Sequence, residues 1–160
     1  MHVFKNFADL LEVAVRIERQ GIDFYNRLST TIDSSQAKDV FSFLAAEEEK
    51  HSGVFRMMLE KTADYAPRFN YPGEYGLFID GVASRLLEKV RKVIGSLPSR
   101  NINEALDMGI EFEKESILFY TELKLEGGLD KANMETLQEI IDEERKHWLK
   151  LISLEDKLKF

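Results

Sequence analysis

Cysteine is absent from the 160-residue chain. Disulfides, thiolate zinc sites, cysteine-ligated iron–sulfur centres and a cysteine nucleophile are thereby excluded, and any chemistry must use oxygen and nitrogen groups. Proline and glycine are scarce, at 3 and 9 residues, which leaves room for long uninterrupted helices. No apolar stretch approaches the roughly 20 residues that span a bilayer. The opening "MHVFKNFADLL" has neither the basic flank nor the apolar run and cleavage site of a signal peptide. No membrane partner and a cytoplasmic location are therefore expected. With a formal charge of −7 and no clustered Lys/Arg patch, the chain also lacks the surface that grips phosphate backbones, so no nucleic-acid partner is expected.

What is present is helical periodicity over most of the length. An apolar fraction of 44% with 32% charged residues suits one globular domain rich in surface ion pairs, and a single domain over 1–160 is expected. Four segments repeat apolar residues at helical spacing. The first runs from an N-cap at Asn6, with Asp9 three residues on, to about Thr31, through Leu11, Ala14, Gly21, Tyr25 and Leu28. The second follows "DSS" and runs to about Lys61, through Ala37, Phe41, Leu44, Phe55 and Met58. The third opens at Asn101, paired with Glu104 as a capping box, carries Leu106, Ile110, Ile117 and Tyr120, and ends at "EGG" near Gly127. The fourth follows Asp130 with Leu137, Ile140, Leu151 and Leu154. Each is about 40 Å long at 1.5 Å per residue, a length suited to a bundle.

Between the two pairs, residues 62–76 read as an irregular aromatic crossover, and residues 77–94 as a shorter fifth helix. A connection this long is what a four-helix bundle needs when its second and third main helices run parallel. Tyr65, Tyr71 and Tyr75 are expected to cover the bundle end, and His2 to be a terminal residue without a role.

The two pairs are copies of one pattern. Glu18 precedes Phe24-Tyr25 as Glu113 precedes Phe119-Tyr120, 95 residues later. Glu48-x-x-His51 returns as Glu144-x-x-His147, 96 residues later. All six ionisable groups fall on the apolar stripes of their helices, where core residues belong. Their neighbours Glu49, Lys50, Glu111, Glu115, Arg145 and Lys146 read as solvated faces. Four carboxylates in a dry core repel one another and lose hydration at several kcal/mol each, unless cations compensate. Two divalent ions balance four carboxylates, and neutral imidazoles supply further ligands. Such a donor set suits iron or manganese, with zinc also compatible.

The doubled Glu plus Glu-x-x-His pattern resembles that of the ferritin-like di-iron carboxylate superfamily, and within it the rubrerythrin-like branch lacking the rubredoxin domain. The resemblance covers nearly the whole chain and implies an all-α, ferritin-like four-helix bundle. It further implies two iron ions bridged by Glu48 and Glu144, with Glu18 and His51 completing one position and Glu113 and His147 the other. Tyr25 and Tyr120 are then placed to hydrogen-bond carboxylates, and Glu47 and Glu143, where not simply solvated, to orient a histidine of the opposite half. Many rubrerythrins carry a further Glu one turn after the third-helix ligand; here that position is Ser116.

Three functions compete at this stage. The first is an oxidoreductase that reduces O2 or hydrogen peroxide with electrons from an external donor, since adjacent metals about 3.5–4 Å apart suit a two-electron step. The second is a ferroxidase that stores or buffers iron, disfavoured as a cage because the fourth helix runs almost to Phe160. The third is a non-catalytic helical module stabilised by zinc or manganese. A homodimer is expected from the resemblance.

Overall fold

The computed structural model describes residues 6–62, 73–96, 101–125 and 129–159. Five helices carry the fold: α1 (Phe7–Thr31), α2 (Ser35–Thr62), α3 (Gly73–Ser96), α4 (Ile102–Leu125) and α5 (Lys131–Leu158). The expected all-α, ferritin-like bundle is what forms. Local sequence sets the helix starts. The Asn6 side chain accepts from the Asp9 N–H, and the Asp9 carboxylate accepts in return from the Asn6 N–H, a reciprocal cap worth about 1 kcal/mol. Ser34 Oγ accepts from the Ala37 N–H at the start of α2, and Asp130 Oδ1 from the Asn133 N–H at the start of α5. Asn101 Oδ1 accepts from the backbone of both Asn103 and Glu104 before α4.

α1 packs chiefly on α2, and α4 on α5, as the short turns between them require. The one-residue difference between the two repeat offsets falls in these turns, so both inward stripes stay in register. The buried stripes of α1, α2 and α5 are those expected from the sequence. On α4 the stripe differs: Ile110 and Ile117 are only half-buried, and the innermost row is Leu106, Gly109, Glu113, Ser116, Tyr120 and Leu123. Small residues sit in that row because neighbours press close there. A Cβ on Gly109 would lie 3.2 Å from Leu151 Cδ1. An apolar count passes over such positions.

The crossover helix also differs from expectation. α3 has 24 residues, as many as α4, and begins four residues before the expected start. Gly73 and Gly76 read as loop punctuation, yet a helical glycine costs only about 1 kcal/mol, which contact with two neighbouring helices offsets. α3 packs on both α1 and α4, burying Ile79, Ala83 and Leu86. That second neighbour explains why α1 is buried on more than one stripe, with Val13, Ile17 and Phe24 inside as well. Glu111 and Glu115, expected in solvent, are half-covered beneath α3, each 3.9 Å from Lys89 Nζ. Tyr75 lies in the first turn of α3; Tyr65, Tyr71, His2 and the "EGG" segment lie outside the described residues. Among the described residues, no helix is long and apolar enough to cross a membrane.

Two mid-helix glycines separate packing from propensity. A Cβ on Gly21 would stand 3.0 Å from the Phe112 ring and 3.2 Å from Glu48 Cγ, whereas one on Gly53 meets nothing within 4 Å. Gly53→Ala is expected to stabilise the protein by about 0.5–1 kcal/mol through helix propensity. Gly21→Ala is expected to show no such gain and a net loss. Urea unfolding midpoints of the two variants check this; an equal gain in both would mean that the contact at Gly21 has no cost.

Candidate metal centre

Each main helix delivers one carboxylate to the same level of the core: Glu18 from α1, Glu48 from α2, Glu113 from α4 and Glu144 from α5. His51 and His147 join them one helical turn beyond Glu48 and Glu144, on the same faces. None of the six is more than 3% exposed. Their donor atoms form two overlapping sets, Glu18–Glu48–His51–Glu144 and Glu48–Glu113–Glu144–His147, each with all atoms within 4.8 Å of one another.

The two shared carboxylates divide their oxygens between the histidines. Glu144 turns Oε1 to His51 Nδ1 at 2.9 Å and Oε2 to His147 Nδ1 at 3.2 Å. Glu48 does the same with Oε2 at 3.8 Å and Oε1 at 3.6 Å. The outer carboxylates stand to one side each, Glu18 Oε2 at 3.9 Å from His51 Nδ1 and Glu113 Oε2 at 3.8 Å from His147 Nδ1. Donor atoms held about 2.1 Å from one octahedral ion lie about 3 Å apart at right angles, so modest inward motion suffices to close either set.

Hydrogen bonds from outside the cluster fix its members. Tyr120 on α4 donates its phenol O–H to Glu18 Oε1 on α1, and Tyr25 on α1 donates to Glu113 Oε1 on α4. Both phenols are fully buried. His51 Nε2 lies 2.7 Å from Glu143 Oε2, so Nδ1 is the nitrogen facing the cluster. Glu47, its counterpart in the other half, turns away and pairs with Lys50. Ser116 Oγ donates to the Phe112 carbonyl and contributes nothing to the cluster. Sequence spacing alone did not separate Glu143 from Glu47, because both precede a cluster glutamate by one residue.

The electrostatics test whether a metal fits. Burial, followed by the charges of neighbouring glutamates, raises Glu18 and Glu113 well above the usual carboxylate range, and the tyrosine bonds only partly oppose this. Burial alone would depress both histidines, but Glu144 and Glu48 outweigh it and raise His51 to about 11 and His147 to about 9. Burial likewise works against the charged forms of Glu48 and Glu144, yet the histidine contacts, joined at Glu48 by Glu18, hold both below the usual range. Without metal both histidines therefore hold their extra protons at pH 7, and Glu18 and Glu113 are driven towards their neutral forms. Divalent cations would supply the positive charge that this concentration of carboxylates calls for. Glu18 Oε2, Glu48 Oε1 and Glu113 Oε2 are moreover buried with no hydrogen-bond partner, a costly state that coordination relieves. The residues present fit a two-ion centre.

A four-helix bundle with four carboxylates and two imidazoles at its middle defines the ferritin-like class of carboxylate metal proteins. The Rubrerythrin family model matches residues 9–155, and the chain belongs to that family. It is also similar to a solved structure described as a candidate ferritin-like diiron-carboxylate protein from Thermotoga maritima. The identity is 26% and the TM-score 0.73, over 96% of this chain and 97% of the other. No curated protein gives a significant match.

Proton exchange makes the centre's state measurable. Loading two divalent ions at pH 7 is expected to release at least the two histidine protons, checked by calorimetry in buffers of different ionisation enthalpy. The raised pKa values also fix the sign for the metal-free fold. His51 and His147 contribute stability that is complete below about pH 6.5 and is lost as pH rises through about 9 and 11. Glu18 and Glu113 add a penalty on the same side, growing as pH rises above 4.5. The urea midpoint of chelator-treated protein should therefore fall between pH 6 and pH 9; a rise over that window contradicts the proton assignment.

Proposed function

We propose that the chain is a di-iron oxidoreductase that reduces hydrogen peroxide or O2 with electrons from a separate donor. The observation that supports this reading is the pair of overlapping donor sets, in which Glu48 and Glu144 each turn one oxygen to either side. Glu18 and His51 would complete the hold on one iron, and Glu113 and His147 on the other. Two ferrous ions held there would supply two electrons at neighbouring positions, the number that one O–O bond takes up on cleavage.

The chain's own residues set the conditions for that step. Near-complete burial of the cluster keeps bulk water from the reacting atoms. The Tyr25 and Tyr120 phenols hold a proton at Glu113 Oε1 and Glu18 Oε1 and fix the orientation of those carboxylates. Glu143 holds His51 in the tautomer that leaves Nδ1 free to ligate. Peroxide reduction to two waters consumes two protons as well as two electrons. His147 lines a groove of about 590 Å³ between α2 and α5, beside Glu47 and Glu143, through which protons would be delivered. With no cysteine among its 160 residues, the sequence supplies no cysteine-ligated iron to feed the centre, and the electrons are assigned to a separate donor.

Glu48→Ala and Glu144→Ala are each expected to lose both irons, whereas Glu18→Ala and Glu113→Ala keep one. Iron per chain after anaerobic loading and desalting measures this, and two irons retained by either of the first pair would sink the bridging assignment. Stopped-flow mixing of ferrous-loaded protein with peroxide, and separately with O2, tests the reaction. Oxidation of two Fe(II) per peroxide or four per O2 is expected. Failure to oxidise with either would leave a metal-stabilised helical module.

A further inference from the structure

The two halves supply the same residues, yet they do not surround the two positions alike. His51 is held at both nitrogens, Nδ1 by Glu144 at 2.9 Å and Nε2 by Glu143 at 2.7 Å. His147 is held at one. Its Nδ1 meets Glu144 at 3.2 Å, but among the described residues no acceptor reaches its Nε2, because Glu47 is engaged by Lys50. The rest of the His147 ring is bounded by other rings: it stacks on His51 at 5.6 Å, and Phe43 meets it edge-on at 6.2 Å. Phe43 is itself 43% exposed.

The groove between α2 and α5 adds an independent difference. His147 lines it together with Phe43, Glu47 and Glu143, whereas His51, Glu18 and Glu113 do not. A ligand exchange needs an incoming group and a donor able to swing away. Both conditions hold at His147, where the groove admits the incoming group and only van der Waals contacts oppose rotation beyond Nδ1. Neither holds at His51, whose ring is tethered at both ends behind the Glu143 carboxylate.

Resting on the two-ion reading above, we infer that the two positions exchange metal at different rates: the one completed by His147 loads last and empties first, through the α2–α5 groove. Glu143 is then a positioning residue that makes the His51 position the retained one. The duplicated sequence conceals this difference, since it arises from which partner each of two equivalent glutamates takes.

Cobalt(II) release to excess EDTA tests the inference on the full chain, with a chromophoric cobalt chelator as readout. Wild-type protein loaded with two equivalents should release them in two phases of one equivalent each, at least about tenfold apart in rate. Loss of a carboxylate behind a ligating histidine typically costs about 10–100-fold in affinity. Glu143→Ala should accelerate the slow phase by about that factor and the fast phase by less than about threefold, while Glu143→Gln, which keeps an acceptor oxygen, should restore most of the slow phase. Phe43→Ala, at a position 43% exposed, should accelerate the fast phase alone. Release of both equivalents in one phase, or Glu143→Ala acting mainly on the fast phase, overturns the inference. Binding of fewer than two equivalents overturns the two-ion reading itself, and the inference with it.

Discussion

Four carboxylates share one dry level of the bundle, and every other feature of the core answers to that concentration of charge. In water such groups repel weakly; in a low-dielectric interior the same repulsion and the lost hydration act together. Protons on the histidines, and a drive towards the neutral form at Glu18 and Glu113, ease the constraint in the metal-free protein. Helix length follows from the same constraint. Buried carboxylates at mid-height need apolar layers above and below them, and helices of 24 to 28 residues provide those layers on either side of the cluster. Small residues follow too, because Gly21 and Gly109 bring α1 and α4 close to the side chains that form the walls.

Much of this was legible in the sequence because the charged residues violate their surroundings. Glu18, Glu48, His51, Glu113, Glu144 and His147 stand where a helical stripe demands apolar residues, and the duplication repeats each violation. Tyr25 and Tyr120 read only as members of the inward stripe; their bond to carboxylates was implied by the resemblance, and each reaches the carboxylate of the other half. The less legible parts depend on tertiary contact. Ile110 and Ile117 looked like core because they are apolar, while Gly109 and Ser116 hold the inner row because the space there is small. The start of α3 was obscured by glycines whose helical cost is offset by two neighbouring helices. Nothing local distinguishes Glu143 from Glu47; the partner each finds does so.

Hydrogen bonds to the outer glutamates and to His51 reach across the seams between the helix pairs. Tyr25 and Tyr120 connect α1 with α4, and Glu143 connects α5 with α2. These contacts join elements that the turns leave unconnected. Polar bonds inside a bundle are directional where apolar packing is not, so they fix which layer of one pair meets which layer of the other. A slip of one turn between the pairs would separate each phenol from its carboxylate and His51 from its anchor. The centre therefore sets the register of the fold that encloses it.

The crossed tyrosine bonds bear on the origin of the molecule as much as on its stability. Each helical hairpin holds the hydroxyl that the other's glutamate needs, and neither holds its own. A single hairpin is thus a half-socket, and the smallest object able to complete the cluster is a pair of them. Whether the two are joined in tandem or brought together as separate chains makes no difference to that requirement. A symmetric pairing of two identical hairpins would satisfy it as fully as the linked chain does.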